Sequence, residues 1–131
     1  MVEPWRLVFR ASAPLLPRAG LLALRVALAA DDPSLLQGAT TEPPPLDFLQ
    51  DWPAQGACPW AYCGWKDGLT TAGEINDFFA EVCSSVDVAL GEPAGCRHFM
   101  QFVDDTPRDR MRPALLAEVE LYLSQTEENA P

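Results

Sequence analysis

One stretch, Thr71 to Leu90 (TAGEINDFFAEVCSSVDVAL), constrains the fold of this chain more than any other. Ile75, Phe78, Phe79, Val82, Val86, Ala89 and Leu90 recur at steps of three and four, which places them on one face of an α-helix. Thr71, with Glu74 three residues later, forms a capping-box pattern in which each side chain satisfies a backbone N–H left free by the first turn. Gly91 follows the last apolar residue, where a helix commonly ends on a left-handed residue. Start, face and stop agree. A helix of this length with one apolar face needs other elements to pack against, and the rest of the chain is read as supplying them.

Upstream, Trp5 to Ala11 (WRLVFRA) alternates in extended form, with Arg6, Val8 and Arg10 on one side and Leu7, Phe9 and Ala11 on the other. That allows a short strand, and a helical turn fits nearly as well. Arg18 to Ala30 reads as a helix whose apolar residues Leu21, Leu22, Leu24, Val26 and Leu28 cover more than half its circumference, the pattern of a well-buried helix. Gly20 lowers its propensity by about 1 kcal/mol relative to Ala, too little to prevent it. Asp31-Asp32-Pro33 stops that helix and starts a single turn to Gln37; Ala39 to Pro45 is a proline-rich rigid connector, and Leu46 to Trp52 is again helical in pattern. Glu92-Pro93 restarts a helix to about Val103, carrying Cys96, Phe99, Met100 and Val103. Asp104 to Pro107 caps and restarts the chain, and Arg108, Asp109, Arg110 and Arg112 read as a solvated, partly self-paired patch. The last helix carries Leu115, Leu116, Val119, Tyr122 and Leu123. The expected fold is mainly α: one domain over residues 1–125, a bundle of four to five helices with a buried Cys/Trp-rich loop and at most one short N-terminal strand, then a flexible acidic tail over 126–131.

The odd segment is Pro53 to Gly68 (PAQGACPWAYCGWKDG), which gathers two Cys, two Trp and a Tyr between Cys58 and Trp65. It reads as a compact loop or short helix laid against the Thr71–Leu90 helix. Cys58, Cys63, Cys83, Cys96 and His98 supply enough ligands for a zinc site, which takes four from Cys and His. Their spacing argues against one, because Pro59, Trp60, Ala61 and Tyr62 between the first two look like core. Cysteine is also among the most buried residue types in its own right. A redox pair at Cys58 and Cys63 departs from the C-x-x-C spacing of thioredoxin-like sites. Asp31-Asp32 and Asp104-Asp105 serve as helix caps, and no nucleotide-binding, metalloprotease, calcium-loop or nucleophile-elbow pattern is present.

Charge narrows the partners. With 131 residues and a net charge of −10, the chain is a poor match for nucleic acid or an anionic membrane, both of which need a basic surface. The charge is uneven: residues 1–30 are net +3 and residues 31–131 net −13. The first thirty residues are Arg-bearing, acid-poor and rich in Ala and Leu, as targeting segments are. Arg25 interrupts their apolar run and Pro4, Pro14 and Pro17 break any long amphipathic helix, so they are read as the first element of the domain. The chain has no apolar run long enough for a membrane span, and a cytoplasmic location is expected. The expected function is that of a non-catalytic acidic interaction module, without a cofactor. Its partner is a basic protein or a second copy of the chain, met through Trp60, Tyr62 and Trp65. The alternative is a thiol or metal protein using Cys58, Cys63, Cys83, Cys96 and His98 for zinc or redox chemistry.

Overall fold

The computed structural model describes residues 2–41 and 52–128. The chain runs through α1 (Pro4–Ser12), a 3₁₀ turn (Ala13–Leu15), α2 (Arg18–Ala30), α3 (Pro59–Lys66), α4 (Ala72–Leu90), α5 (Arg97–Asp105) and α6 (Arg108–Glu128). The fold is mainly α and forms one bundle, with six helices among the described residues where four to five were expected. The helix expected over Leu46–Trp52 lies, up to residue 51, outside the described residues, as do residues 42–45 of the proline-rich connector.

Local signals start and stop these helices. α1 and α3 each carry a proline in the first turn, where a missing N–H leaves no bond unmade. The capping box of α4 is formed: Glu74 N donates to Thr71 Oγ1 (3.3 Å) and Thr71 N donates to Glu74 Oε1 (3.1 Å). Gly91 closes α4 at φ 64°, in the left-handed region. α2 has the expected bounds and ends on Asp31, left-handed at φ 55°.

The N-terminal strand is not formed. α1 buries Trp5, Val8, Phe9 and Ser12, a spacing that lies on one helix face but would be split between the two sides of a strand. Its Trp5 ring stacks on Phe102 of α5 at 3.7 Å between centroids. The Cys/Trp-rich segment is likewise a helix rather than a loop. The Cys58 carbonyl accepts from Tyr62 N (2.7 Å), and six of the eight residues of α3 are buried. The helix expected from Glu92 begins instead at Arg97. The Asp87 carboxylate draws Ala94 N (3.2 Å) and Cys96 N (2.9 Å) out of any helical ladder, and Ala94 is left-handed at φ 56°.

α3 is the centre of the bundle, wedged between α2 and α4. On one side the α2 backbone at Gly20 rides directly on α3: a methyl group at Gly20 would stand 2.6 Å from Cys63 Cα. On the other side Phe78 of α4 lies over Gly64, where a methyl group would meet its Cδ1 at 2.6 Å. Optimal carbon contacts are about 3.5–4.0 Å, so neither position admits a side chain without movement. α4, the clearest helix in the sequence, is a flank rather than the hub. Ile75, Val82 and Val86 are buried, whereas Ala89 and Leu90 are exposed and Val88 is 82 % exposed, because α4 outruns the core it covers.

The Arg108–Arg112 segment corrects the sequence reading. Arg112 donates from Nε to Leu28 O (2.8 Å) and from Nη2 to Ala29 O (3.1 Å), both at the C-terminus of α2. Arg108 donates to Asp32 O (2.7 Å) and Leu35 O (2.8 Å) and pairs with Asp31. Arg112 satisfies carbonyls that the end of α2 leaves without partners, Arg108 holds the turn that follows it, and together they fasten α6 to that end of α2. α6 itself runs on to Glu128, with Thr126 Oγ1 donating to Tyr122 O (3.1 Å) in its last turn.

The helix contacts at the two glycines are unequal, since Gly20 meets backbone and Gly64 meets a ring that can turn. Gly20→Ala is expected to destabilise the chain by about 1–3 kcal/mol, the usual cost of overpacking, and Gly64→Ala by less. Urea unfolding of the two variants checks this ordering; a neutral Gly20→Ala would contradict the backbone contact.

Candidate functional site

The Cys58–Lys66 segment was the strongest sequence candidate for chemistry or recognition. Its side chains point mostly inward. Trp60 is fully buried: it stacks on Phe99 at 4.6 Å between centroids, and its Nε1 donates to Ser12 Oγ (2.9 Å). Ser12 Oγ donates in turn to Phe9 O (2.7 Å), so the indole N–H and the hydroxyl satisfy each other in the core. Tyr62 is 3 % exposed, and its hydroxyl donates to Asp32 Oδ2 (3.3 Å). Burial, then the charge of Asp32, pushes the Tyr62 phenol up to about 12. Trp65 alone of the three rings is half-buried, with Lys66 Nζ 3.9 Å from its centroid.

The four cysteines are free thiols at separate depths. Cys63 is fully buried in α3, where desolvation pushes its pKa well up and the neighbouring Cys58 adds to it. Cys58 precedes Pro59 at the start of α3 and is half-buried, and burial pushes its thiol up to about 12. Cys83 on α4 is pushed up to about 12, by burial first and then by its neighbour Cys96. Cys96, before the first residue of α5, is raised by burial and by Asp87. His98 stands away from these sulfurs in its bonding, with Nε2 3.4 Å from Glu92 Oε1 at the surface. Among the described residues no group of three or more His, Cys, Asp or Glu side chains is arranged to hold a metal ion. Nucleophilic thiols need the opposite environment, a partly exposed sulfur with its pKa lowered by a cation or a helix N-terminus.

A cleft of about 170 Å³ opens beside this segment, lined in part by Thr40, Cys58, Phe79, Phe99, Met100 and Asp104. Its lining is mainly apolar. Among the described residues that line it, the carboxylate of Asp104 accepts from Gly38 N (2.7 Å) and burial pushes the Cys58 thiol toward its protonated form.

The residue that sequence reasoning missed is Glu118. It is 5 % exposed, on the buried face of α6 between Leu115 and Val119. Arg10 donates to it from Nε (2.8 Å) and Nη2 (3.1 Å), and Arg6 from Nη1 (3.0 Å). Arg10 first, then burial opposing it and Arg6 assisting, leaves the carboxyl below the usual glutamate range. Arg6 and Arg10 are one helical turn apart on α1, a spacing that was visible in the sequence, and their common partner lies more than a hundred residues away. No fully buried side-chain N or O atom among the described residues lacks a hydrogen-bond partner, so no orphaned polar group awaits a ligand.

These bonds decide the surface charge. Arg6 and Arg10 serve Glu118, Arg18 pairs with Glu127, Arg108 and Arg112 serve α2 and Asp31, and Lys66 lies on aromatic rings. Asp67, Asp77, Glu81, Asp105, Asp109 and Glu120 are all exposed. On α4, Asp77 and Glu81 sit one turn apart on its outer side. Among the described residues no helix is long and apolar enough to cross a membrane. The fold and its candidate site define a small mainly α bundle with an inward-turned aromatic and thiol cluster. Comparison of the chain with protein-family models, with curated proteins and with solved structures finds no match.

Two measurements follow from these environments. Glu118 has a lowered pKa in the folded chain, so its contribution is complete above the free glutamate value of about 4.3 and is lost as pH falls through the lower folded value. Glu118→Gln is expected to cost about 1–3 kcal/mol at neutral pH, as for hydrogen bonds to charged groups, and to flatten the acid limb of the stability profile. Thermal melts of both proteins between neutral and acid pH check it. For the thiols, alkylation at neutral pH is expected to be much slower than for free cysteine, with Cys63 last, and all four should react promptly in denaturant.

Proposed function

We propose that this chain is a non-catalytic interaction module that binds a basic protein through its acidic surface. The observation that carries this reading is the use made of the cations. Six of the nine Lys and Arg residues hold the fold together or lie on aromatic rings, and two of those, Arg108 and Arg112, bond chiefly to carbonyls. The acids at Asp67, Asp77, Glu81, Asp105, Asp109 and Glu120 stay outside. A surface of one sign steers a partner of the other sign and fixes its orientation. Trp65, half-buried beside Lys66 and Asp67, supplies an aromatic edge next to that surface; Trp60 and Tyr62 act behind it by holding α3 in place. The alternative thiol or metal chemistry finds less support, since each of the four thiols is pushed toward its protonated, unreactive form.

Capture from a lysate at low and at high salt tests the reading when the wild type is compared with the double variant Asp77→Lys, Glu81→Lys. Basic proteins retained by the wild type at low salt are expected to be released at high salt and to be missed by the variant. Two results would contradict the proposal: a retained set indifferent to the charge reversal, or a set without basic proteins. Circular dichroism of the variant establishes that α4 is intact.

A further inference from the structure

The cleft beside α3 is framed by hydrogen bonds rather than left over by loose packing. On one side the loop after α2 is pinned to the end of α5: Gln37 Nε2 donates to Val103 O and Thr106 O (both 2.8 Å), and Gly38 N donates to Asp104 Oδ1 (2.7 Å). On the other, Cys58 N donates to Thr40 O (2.9 Å), which holds the same loop to the start of α3. Between these anchors the loop brings Gly38 and Ala39 to the cleft, residues with almost no side chain to fill it. The apolar walls include Phe99, whose ring is fixed by stacking on Trp60 at 4.6 Å, Phe79, whose ring lies 6.1 Å from that of Trp60, and the half-buried Met100. The room is about 170 Å³; an apolar cavity of about 150 Å³ takes one benzene ring. Asp104 supplies the charge. It is exposed in the last turn of α5, where the helix carbonyls add to its negative potential. Arg108, four residues on, is used by Asp31 and by two carbonyls, and among the described residues no cation pairs with Asp104.

We propose that this cleft binds a small primary amine carrying one aromatic ring, with the ring among Phe79, Phe99 and Met100 and the ammonium at Asp104. Each part of the ligand answers a part of the site. A flat ring meets aromatic walls and a thioether, both of which favour contact with a π-system. The ammonium meets a carboxylate at a helix C-terminus, and the same groups repel an anion. A fused two-ring ligand exceeds the room. Because the walls are held in place before the ligand arrives, little ordering is lost on binding. The carboxylate is exposed, so its share is modest: a preference of about two- to fivefold over a neutral ligand of the same shape, as for exposed ion pairs. That preference fades with added salt, and the apolar share does not. For a ligand of this size in a half-open cleft, the dissociation constant is about 1 mM.

The test is a titration of the full chain, its methionine methyls labelled with carbon-13, with 2-phenylethylamine, followed by NMR at low salt. The Met100 methyl signal, assigned with Met100→Leu, should shift to saturation, while that of the fully buried Met111 should stay in place. The neutral 2-phenylethanol should bind about two- to fivefold more weakly, phenylacetate more weakly still, and propylamine, which has no ring, should leave Met100 unmoved. Asp104→Asn keeps an oxygen for Gly38 N and should bring the amine down to the level of the alcohol without changing the affinity for the alcohol. The ligand series on the wild type stands whether or not that variant folds. The proposal is overturned if 2-phenylethylamine leaves the Met100 methyl unmoved, if amine and alcohol bind the wild type equally, or if the preference survives in Asp104→Asn. It is equally overturned if the amine binds only after residues 42–51 are replaced by glycine and serine, which would make that segment the occupant.

Discussion

The bundle depends on the thinness of α3. A helix carrying Ala61, Cys63 and Gly64 on its inner surfaces can sit between two others at very short range, with the α2 backbone at Gly20 on one side and the Phe78 ring of α4 at Gly64 on the other. The close approach buries six residues of an eight-residue helix, which by itself is far too short to be stable in water. Trp60 then reaches out of this crowded centre to Phe99 of α5 and Ser12 of α1, so one ring joins three parts of the chain. Dispersion and apolar burial at this junction are the main attractive terms, and the hydrogen bond to Ser12 removes the cost of burying the indole N–H.

Arginine supplies the second level of organisation. α6 packs on α2 and α1, and both contacts are edged by guanidinium groups: Arg108 and Arg112 on the end of α2, Arg6 and Arg10 on Glu118. Guanidinium suits this role because its donors are fixed in a plane and can serve several oxygens at once. A buried carboxylate with two arginines adds little net stability over an apolar contact, yet removing one partner is costly, so Glu118 fixes the register of α6 against α1 more than it deepens the fold.

Much was readable from local signals. The Thr71–Glu74 capping box, Gly91 at a left-handed end and the bounds of α2 were all in place, because caps and apolar periodicity act over a few residues and need no knowledge of the rest of the chain. The weak points were segments whose local pattern fitted two states. Trp5 to Ala11 alternates well enough for a strand, and the surfaces of α4, α5 and α6 select the helix. The start of α5 moved because an acid on a different helix, Asp87, captured its first donors.

By itself, then, the sequence determined the helical class, the position of the long amphipathic helix, the acidic balance and the absence of any familiar catalytic pattern. Only the tertiary structure decided that α3 and not α4 is central, that Trp60 and Tyr62 face inward, that Arg108 and Arg112 close α2, and that Glu118 is buried. The physical reason is range. Periodicity and capping are set by neighbours three or four residues away, whereas burial, pairing and the protonation of a thiol depend on which surfaces meet, and those surfaces come from parts of the chain as much as 112 residues apart.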